Sequence, residues 1–314
     1  MSKKDFNMLS IIEISSDNRA VHVSRGFLQI KSDGAVLSEV PLDSIGAIMT
    51  TGNAIVWTND ALSRLCEEGV PVIIIGPNYH PNGIMLSLVG QYKQTEIQRQ
   101  QINISKPLQK QLWASVVKEK VKNQSRVLDT LGINNPIKSL SDKVQSGDTG
   151  GIEARAARAY FPALFGKDFL RRHTAPGINS FLNYGYAIIR ATLARQVVAA
   201  GLNPSFGIQH HNALNPFCLV DDLIEPYRPI VDLEVYNIFR GKDDTTKTLT
   251  PEYKKILTGI IYKELKNNIG GTSPLYTIMQ RDVWAFANSI KEKQNLLEYT
   301  QTMIDNDEHT HPRT

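Results

Sequence analysis

Four residues in two separated segments of the chain could bind a divalent cation. Glu153 follows a Gly150-Gly151 pair, whereas His210, Asp222 and Glu225 lie together some way downstream. One imidazole with two or three carboxylates suits a hard or borderline ion such as Mg²⁺ or Mn²⁺, with zinc as the alternative. Such an ion can polarise a phosphoryl oxygen and orient the attacking or leaving oxygen. These residues therefore indicate metal-dependent phosphodiester chemistry.

The surroundings of Glu153 predict the first turn of a helix. Either Asp148 or Thr149 could cap that helix, because short oxygen-bearing side chains accept hydrogen bonds from the first free amides. A purely structural alternative is a first-turn glutamate that interacts favourably with the helix dipole.

Asp222 and Glu225 are three residues apart, which predicts one shared helical face. Acids set among apolar residues are costly without a compensating cation, and this cost favours a metal. Pairing of the acids with Arg228 is the alternative. His211 competes with His210 for the ligand position, and Asp221 competes with Asp222.

Basic residues dominate the middle of the chain. Residues 90–130 include eight Lys or Arg and three acidic residues, and residues 154–196 include seven Lys or Arg and one acidic residue. Two consecutive segments with an excess of positive charge favour a phosphate-binding surface over separate solvated helix faces. The residues that we expect to contact DNA are Lys118, Lys122, Arg155, Arg158, Arg171, Arg172 and Arg190.

The secondary structure predicted to position these residues changes from mostly strands to helices near residue 90. Short Val-, Ile- and Leu-rich runs at 21–24, 27–31 and 70–76 predict strands, and residues 54–69 predict a helix with Asn59 as its N-cap. Beyond Gln91 the strand signals fade and helix-sized intervals separate Pro and Gly.

The predicted fold class is therefore α+β and multidomain. A small β-rich, sandwich-like domain over residues 1–90 is followed by a larger all-helical catalytic, DNA-binding domain over 91–305 and a flexible tail over 306–314. The 314 residues are ample for two cores, with 41% apolar and 21% charged residues and a net charge of +4.

Composition and motifs exclude several classes of protein. No run approaches a membrane span and the start lacks a secretory signal, so we expect a cytoplasmic protein with no membrane partner. Cys66 and Cys218 have no zinc-type spacing and predict buried thiols. There is no P-loop and no HExxH motif.

Several motifs together resemble the CRISPR-associated integrase family, CRISPR-associated protein one, over nearly the whole chain. They are Gly151-Ile152-Glu153 with Ala156 to Arg158 and Tyr160-Phe161; Leu182-Asn183-Tyr184-Gly185-Tyr186-Ala187; Gly207 to His210; and Asp222 through Glu225 to Arg228-Pro229. The form of the stretch 215–232 is most similar to members from type II systems. By itself, the motif from Leu182 to Ala187 predicts helix packing, with Asn183 and Tyr184 as supports for the site.

The resemblance implies metal ligands at Glu153, His210 and Glu225, with Asp222 as a further acidic position close to the metal. The step from His210 to Glu225 matches the family spacing, whereas the step from His211 does not. The implied cofactor is Mg²⁺ or Mn²⁺.

The resemblance implies an endonuclease and integrase that joins the 3′-hydroxyl ends of a DNA fragment, the prespacer, to phosphodiesters at the boundaries of the CRISPR repeat. The implied partners are double-stranded DNA and a second copy of the chain, bound largely through the N-terminal domain. Two such homodimers are implied to flank a dimer of CRISPR-associated protein two in a hetero-hexamer. A type II effector nuclease is a further implied partner. The alternatives are a zinc-dependent hydrolase and a non-catalytic DNA-binding scaffold.

Overall fold

A computed structural model of the chain describes residues 10–76, 81–88, 92–172, 175–240, 247–266 and 271–299. The predicted tail over 306–314 lies outside the described residues. The N-terminal part is β-rich and the part that follows is helical, which confirms the predicted fold class. None of the helices in the described ranges is both long and apolar enough to cross a membrane.

Two four-stranded sheets form the N-terminal part. The first has the order β1-β5-β7-β8, with only the β7–β8 pair antiparallel, and the second has the order β4-β3-β2-β6, with only the β2–β6 pair parallel. The strands are β1 Ser10–Ile14, β2 Arg19–Ser24, β3 Phe27–Ser32, β4 Ala35–Pro41, β5 Ile45–Thr50, β6 Ile55–Trp57, β7 Val72–Ile75 and β8 Pro81–Met85.

Alternation of side chains along β5 and β7 gives the first sheet two buried faces. Ile48 and Val72 join a small core shared with the second sheet, whereas Met49 and Ile73 join the large core of the helical part. Successive side chains of a strand point to opposite faces, so a strand buried on both faces has a continuous apolar sequence. The first sheet is thus a layer between the second sheet and the helices.

The first helix, α1, spans Asn59–Glu67 and departs from the sequence prediction at its start. The residue that caps it is Thr58, not Asn59, because the Thr58 side chain accepts a hydrogen bond from the amide of Ala61 at 3.2 Å. The preceding residues Ile55–Trp57 form β6 rather than helix, since they pair with β2.

The helical part is organised around two long helices, α3 and α5. The helices are α2 Gln94–Ile102, α3 Lys106–Thr130, α4 Ile152–Phe165, α5 Ile178–Ala199, α6 Cys218–Leu223, α7 Arg228–Phe239, α8 Pro251–Gly259 and α9 Leu275–Glu292. Most residues of α5 are buried, as expected for a helix with neighbours on all sides. A short hairpin, β9 Glu264–Lys266 with β10 Thr272–Pro274, precedes α9 and was not predicted.

Polar contacts join the two parts in addition to the shared core. Glu13 in β1 accepts hydrogen bonds from Tyr184 of α5 at 2.9 Å and from Lys254 of α8 at 2.6 Å. Arg195 of α5 donates to the backbone oxygens of Ile45 at 2.7 Å and Gly46 at 2.8 Å. The helices are therefore held against the first sheet by charge-assisted hydrogen bonds as well as by apolar packing.

The motif from Leu182 to Ala187 packs as predicted. Leu182 and Tyr184 are fully buried. Gly185 lies where α5 meets α7, and a methyl group at this position would collide with the side chain of Val231. The glycine is therefore required for the close approach of these helices. Cys218 is buried, whereas Cys66 is half-buried, so the prediction of two buried thiols is correct for Cys218 only.

Candidate active site

Glu153 lies in the first turn of α4. Gly151 precedes the helix in a left-handed conformation (φ 59°), and both carboxylate oxygens of Asp148 accept backbone hydrogen bonds, from Ile152 at 2.8 Å and Glu153 at 3.0 Å. Of the two capping residues considered from the sequence, Asp148 is the one that satisfies the free amides. The turn fixes the backbone of Glu153 and leaves its side chain about one-third exposed.

Asp222 organises the loop that carries His210. Its carboxylate is fully buried and accepts hydrogen bonds from the backbone amides of Ile208 at 2.6 Å, Gln209 at 3.0 Å and His210 at 3.2 Å. The same carboxylate lies 2.6 Å from Nδ1 of His210. A carboxylate on Nδ1 fixes the ring orientation and leaves Nε2 as the nitrogen for a ligand. This hydrogen bond also raises the pKa of His210, despite partial burial that opposes the rise.

Lys120 of α3 joins the two candidate carboxylate ligands. Its Nζ lies 2.7 Å from Oε1 of Glu153 and forms a second ion pair with Oε2 of Glu225. Lys120 and Glu225 have side chains less than one-tenth exposed. Burial alone would lower the pKa of Lys120, but the two glutamates outweigh it and raise that pKa.

Glu225 begins the tight turn Glu225–Tyr227 between α6 and α7 and has a second cationic partner. Its Oε1 accepts a hydrogen bond from Nε of Arg228 at 2.9 Å, so the pairing with Arg228 considered from the sequence is present. Burial opposes ionisation of Glu225, yet Arg228 and Lys120 together hold its pKa at about 2. The turn is secured by Asn123 of α3, which donates to the backbone oxygen of Pro226 at 2.9 Å.

A cavity of about 250 Å³ opens onto these residues. His210 and Glu225 line it together with three guanidinium groups. The complete lining is Arg171, Asn183, Tyr186, Ala187, Arg190, His210, Asp221, Ile224, Glu225 and Arg228. An acidic centre with arginines around it suits a phosphodiester, because guanidinium groups bind phosphate oxygens in a fixed geometry.

Arg171 and Arg190 are held in the cavity wall by different kinds of partner. Arg171 donates to the amide oxygens of Asn179 at 2.9 Å and Asn183 at 2.7 Å, which orient the guanidinium without neutralising it. Arg190 forms a two-pronged ion pair with Asp221, at 2.6 and 2.9 Å. Asp221 therefore fixes an arginine, whereas Asp222 fixes a histidine.

His211 lies apart from this cavity. It lines a larger groove of about 890 Å³ that includes Gln109, Phe206 and Phe286, whereas its neighbour His210 lines the smaller cavity. The consecutive residues His210 and His211 thus line different cavities, so the two imidazoles do not share a site.

The candidate ligands fit a hard or borderline divalent cation, although they are not gathered around one point. Across the described ranges, no three His, Cys, Asp or Glu side chains come close enough to hold a metal ion together. Glu153 and Glu225 nevertheless meet at one positive group, and the ring of His210 is oriented through Nδ1. Two carboxylates and one imidazole are a suitable donor set for Mg²⁺ or Mn²⁺.

The remaining basic candidates lie on α3 and α4, except Arg172, which lies between α4 and α5. Lys118, Arg155, Arg158 and Arg172 are exposed, and Lys122 is half-buried near Glu119. Arg155 and Arg158 are three residues apart on α4 and so share a helical face. These side chains are accessible to a large anionic ligand.

Sequence reasoning missed two contributors to the site. By composition, Lys120 is one of several basic residues, although its position four residues after Val116 places it on the apolar face of α3. The sequence predicts a packing role for Tyr186, but its ring lies under the guanidinium groups of Arg171 and Arg228, with 5.4 and 4.6 Å to its centroid. A charged residue at an apolar helical position was the available signal for Lys120.

Comparison with known proteins identifies the family. The family model described as CRISPR associated protein Cas1 matches residues 12–259. A CRISPR-associated endonuclease Cas1 from Neisseria meningitidis serogroup C is 38% identical over 229 residues, which cover 72% of this chain and 75% of that protein.

Solved structures show the same fold. A casposase bound to integration product superposes with a TM-score of 0.80 at 21% identity, over 95% of each chain. The structure of a Cas6-RT-Cas1–Cas2 complex matches with a TM-score of 0.74 at 18% identity, over 94% of this chain and 36% of that chain. With the sequence match over most of its length and the fold in agreement, the chain belongs to the CRISPR-associated Cas1 family.

Proposed function

We propose that this protein is a metal-dependent DNA endonuclease and integrase of CRISPR adaptation. In the proposed reaction, the 3′-hydroxyl of a prespacer attacks a phosphodiester at the repeat boundary. One P–O bond forms as another breaks, so the exchange is nearly isoenergetic and needs no ATP. The observation that carries the proposal is the meeting of Glu153 and Glu225 at one cationic position beside a cavity lined by His210 and arginines.

Glu153, His210 and Glu225 are the residues that would hold Mg²⁺ or Mn²⁺. When bound, the ion would polarise the phosphoryl oxygen and stabilise charge on the attacking or leaving oxygen. Asp222 contributes by holding the His210 ring through Nδ1, so its role is positioning.

The arginines have separate tasks in this proposal. Arg171 is oriented by two neutral amides, so its charge remains available for a nonbridging phosphate oxygen. Arg190 and Arg228 are each paired with an acid, which fixes their planes beside the same space. Preorganised cationic donors of this kind stabilise charge that develops during phosphoryl transfer.

The proposed partners follow from the family and the neighbouring structures. Double-stranded DNA is supported by the exposed basic residues of α3 and α4, and a Cas2 partner is supported by the likeness to the Cas1–Cas2 complex. Joining both ends of one fragment requires two sites, so we also propose a homodimer, two of which assemble with a Cas2 dimer into a hetero-hexamer.

Single substitutions at the three candidate ligands test the proposal. Glu153→Ala, His210→Ala and Glu225→Ala should each abolish Mg²⁺- or Mn²⁺-dependent integration into a repeat-containing plasmid, while duplex DNA binding persists. His211→Ala is the matched control, because its ring lies in the other groove, and it should retain activity. Loss of activity in His211→Ala with activity kept in His210→Ala would overturn the assignment.

A further inference from the structure

The position between Glu153 and Glu225 is held by a cation that belongs to the chain itself. Lys120 Nζ contacts one oxygen of each glutamate, and the lysine side chain is only 9% exposed. Lysine is rarely buried to this extent unless it is paired. Two carboxylates that meet in a poorly solvated place would repel one another without such a group.

The charges around this position are already balanced. Glu153 and Glu225 contribute two negative charges, and Lys120 and Arg228 contribute two positive ones. A divalent ion that entered among these four groups would create a net excess of positive charge at short distance. Repulsion between cations a few ångströms apart is strong where water is partly excluded. A metal bound by the two carboxylates would therefore disfavour the Lys120 ammonium group between them.

We propose that Lys120 is a built-in competitor of the metal, which holds the two glutamates together until a divalent ion displaces its ammonium group. This inference rests on the proposed function, since it assumes that Glu153 and Glu225 are ligands. Lys120 is then a positioning residue. It keeps the ligands converged without metal and sets the metal concentration that the site requires.

The displacement also links metal binding to DNA binding. An ammonium group released from two carboxylates is unfavourable unless it meets another anion. Lys118 and Arg155 are exposed on the same two helices, α3 and α4, where DNA phosphates are proposed to lie. A phosphate beside the site would accept the released ammonium group and offset the added positive charge. Metal should therefore bind the DNA complex more tightly than it binds the free protein.

Mn²⁺ titration of the DNA-free protein tests the competition directly. Lys120→Met and Lys120→Gln should bind Mn²⁺ at least about tenfold more tightly than the wild type, as followed by calorimetry or by loss of the free Mn²⁺ resonance signal. Lys120→Arg retains the charge and should bind as weakly as the wild type. Lys138→Met is the matched control for loss of one positive charge, since Lys138 is 74% exposed and pairs with Asp129. It should leave Mn²⁺ affinity unchanged.

Thermal melts provide a readout that needs no activity. The Lys120→Met and Lys120→Gln variants should melt lower than the wild type without metal, and Mn²⁺ should raise their melting temperature by more than it raises that of the wild type. A second measurement uses unaltered protein: addition of a short duplex DNA should tighten Mn²⁺ binding to the wild type, and this gain should be smaller in the variants. If both variants fail to fold, the wild-type measurement still tests the inference, because a Mn²⁺ affinity that DNA does not change would contradict it.

The outcomes separate this inference from the proposed function. Equal Mn²⁺ affinity in wild type and the neutral variants, with that affinity abolished by His210→Ala, would overturn the competition and leave the metal site intact. A wild-type Mn²⁺ affinity that is indifferent to DNA would also overturn it. Absence of Mn²⁺ binding in every form, including the DNA complex, would overturn both.

Discussion

Oδ1 of Asp222 lies 2.6 Å from Nδ1 of His210, and the same buried carboxylate binds the backbone amides of residues 208–210. The ring and the loop that carries it are thus fixed by one side chain. If His210 is a metal ligand as proposed, Asp222 supports that ligand rather than serving as one.

We expect Asp222→Asn to weaken Mn²⁺ binding and integration by about 10- to 100-fold. An amide accepts hydrogen bonds on one side only, so it cannot serve both the His210 ring and the loop amides. Loss of the carboxylate should also lower the raised pKa of His210, which an NMR titration without metal would detect. Asp60→Asn is the control, because it removes one acid from an exposed position on α1 that lies outside the cavity. Unchanged affinity in Asp222→Asn would contradict the positioning role.

Glu225→Ala should destabilise the protein in the absence of metal. From the sequence, removal of one acid from an acidic cluster is expected to relieve repulsion and to maintain or raise stability. The ion pairs with Lys120 and Arg228 reverse that expectation, because the substitution leaves two cations without their buried partner. Breaking a buried pair costs about 3 kcal/mol of unfolding free energy. Urea denaturation measures this loss, and a variant as stable as the wild type would contradict the pairing.

The free energy of unfolding should decrease from acid to neutral pH because of the titration of Asp282. Burial raises the pKa of this carboxyl group to about 7, and Tyr227 donates a hydrogen bond to it at 2.7 Å. The folded protein therefore retains this proton to higher pH than the unfolded chain, whose aspartates titrate near 3.8. The stabilisation of the folded state by protonated Asp282 is fully present below the pKa of the unfolded chain and is lost as pH rises through 7.

Asp282→Asn removes this titration while it keeps an oxygen for Tyr227. The variant should show a smaller loss of unfolding free energy than the wild type between pH 4 and pH 7, as measured by denaturant titration at several pH values. The exposed residue Asp60 provides the control, and Asp60→Asn should follow the wild-type curve. A parallel pH profile in Asp282→Asn would contradict the raised pKa.

The salt dependence of the DNA affinity should reveal whether the basic face of α4 contacts DNA phosphates. Arg155 and Arg158 are exposed there, and each phosphate contact releases about one counterion. Replacement of both by alanine should weaken binding to duplexes of any sequence and reduce the slope of log K against log salt by about 2. Fluorescence anisotropy over a salt series checks this. Arg64→Ala, on α1 and paired with Glu67, should leave the slope unchanged.

The sequence was informative where chemistry is local. Glu153 and its cap Asp148 lie within a few residues of one another, so both were predictable. Lys120 was not, because its partners are 33 and 105 positions away along the chain, and only tertiary packing brings α3 against both. The misassigned cap of α1 shows a finer limit: Thr58 and Asn59 are both good capping residues, and the pairing of residues 55–57 with β2 decides where the helix begins.

Because the first sheet is buried on both faces, we expect the β-rich and helical parts to unfold as a single cooperative unit. Met49 and Ile73 would be exposed on a separated β-rich fragment, and a separated helical fragment would expose the surface around Tyr184 and lose Glu13 as the partner of Lys254. Separation of the two parts would therefore expose apolar surface and break the hydrogen bonds to Glu13. Calorimetry should accordingly show one unfolding transition rather than two.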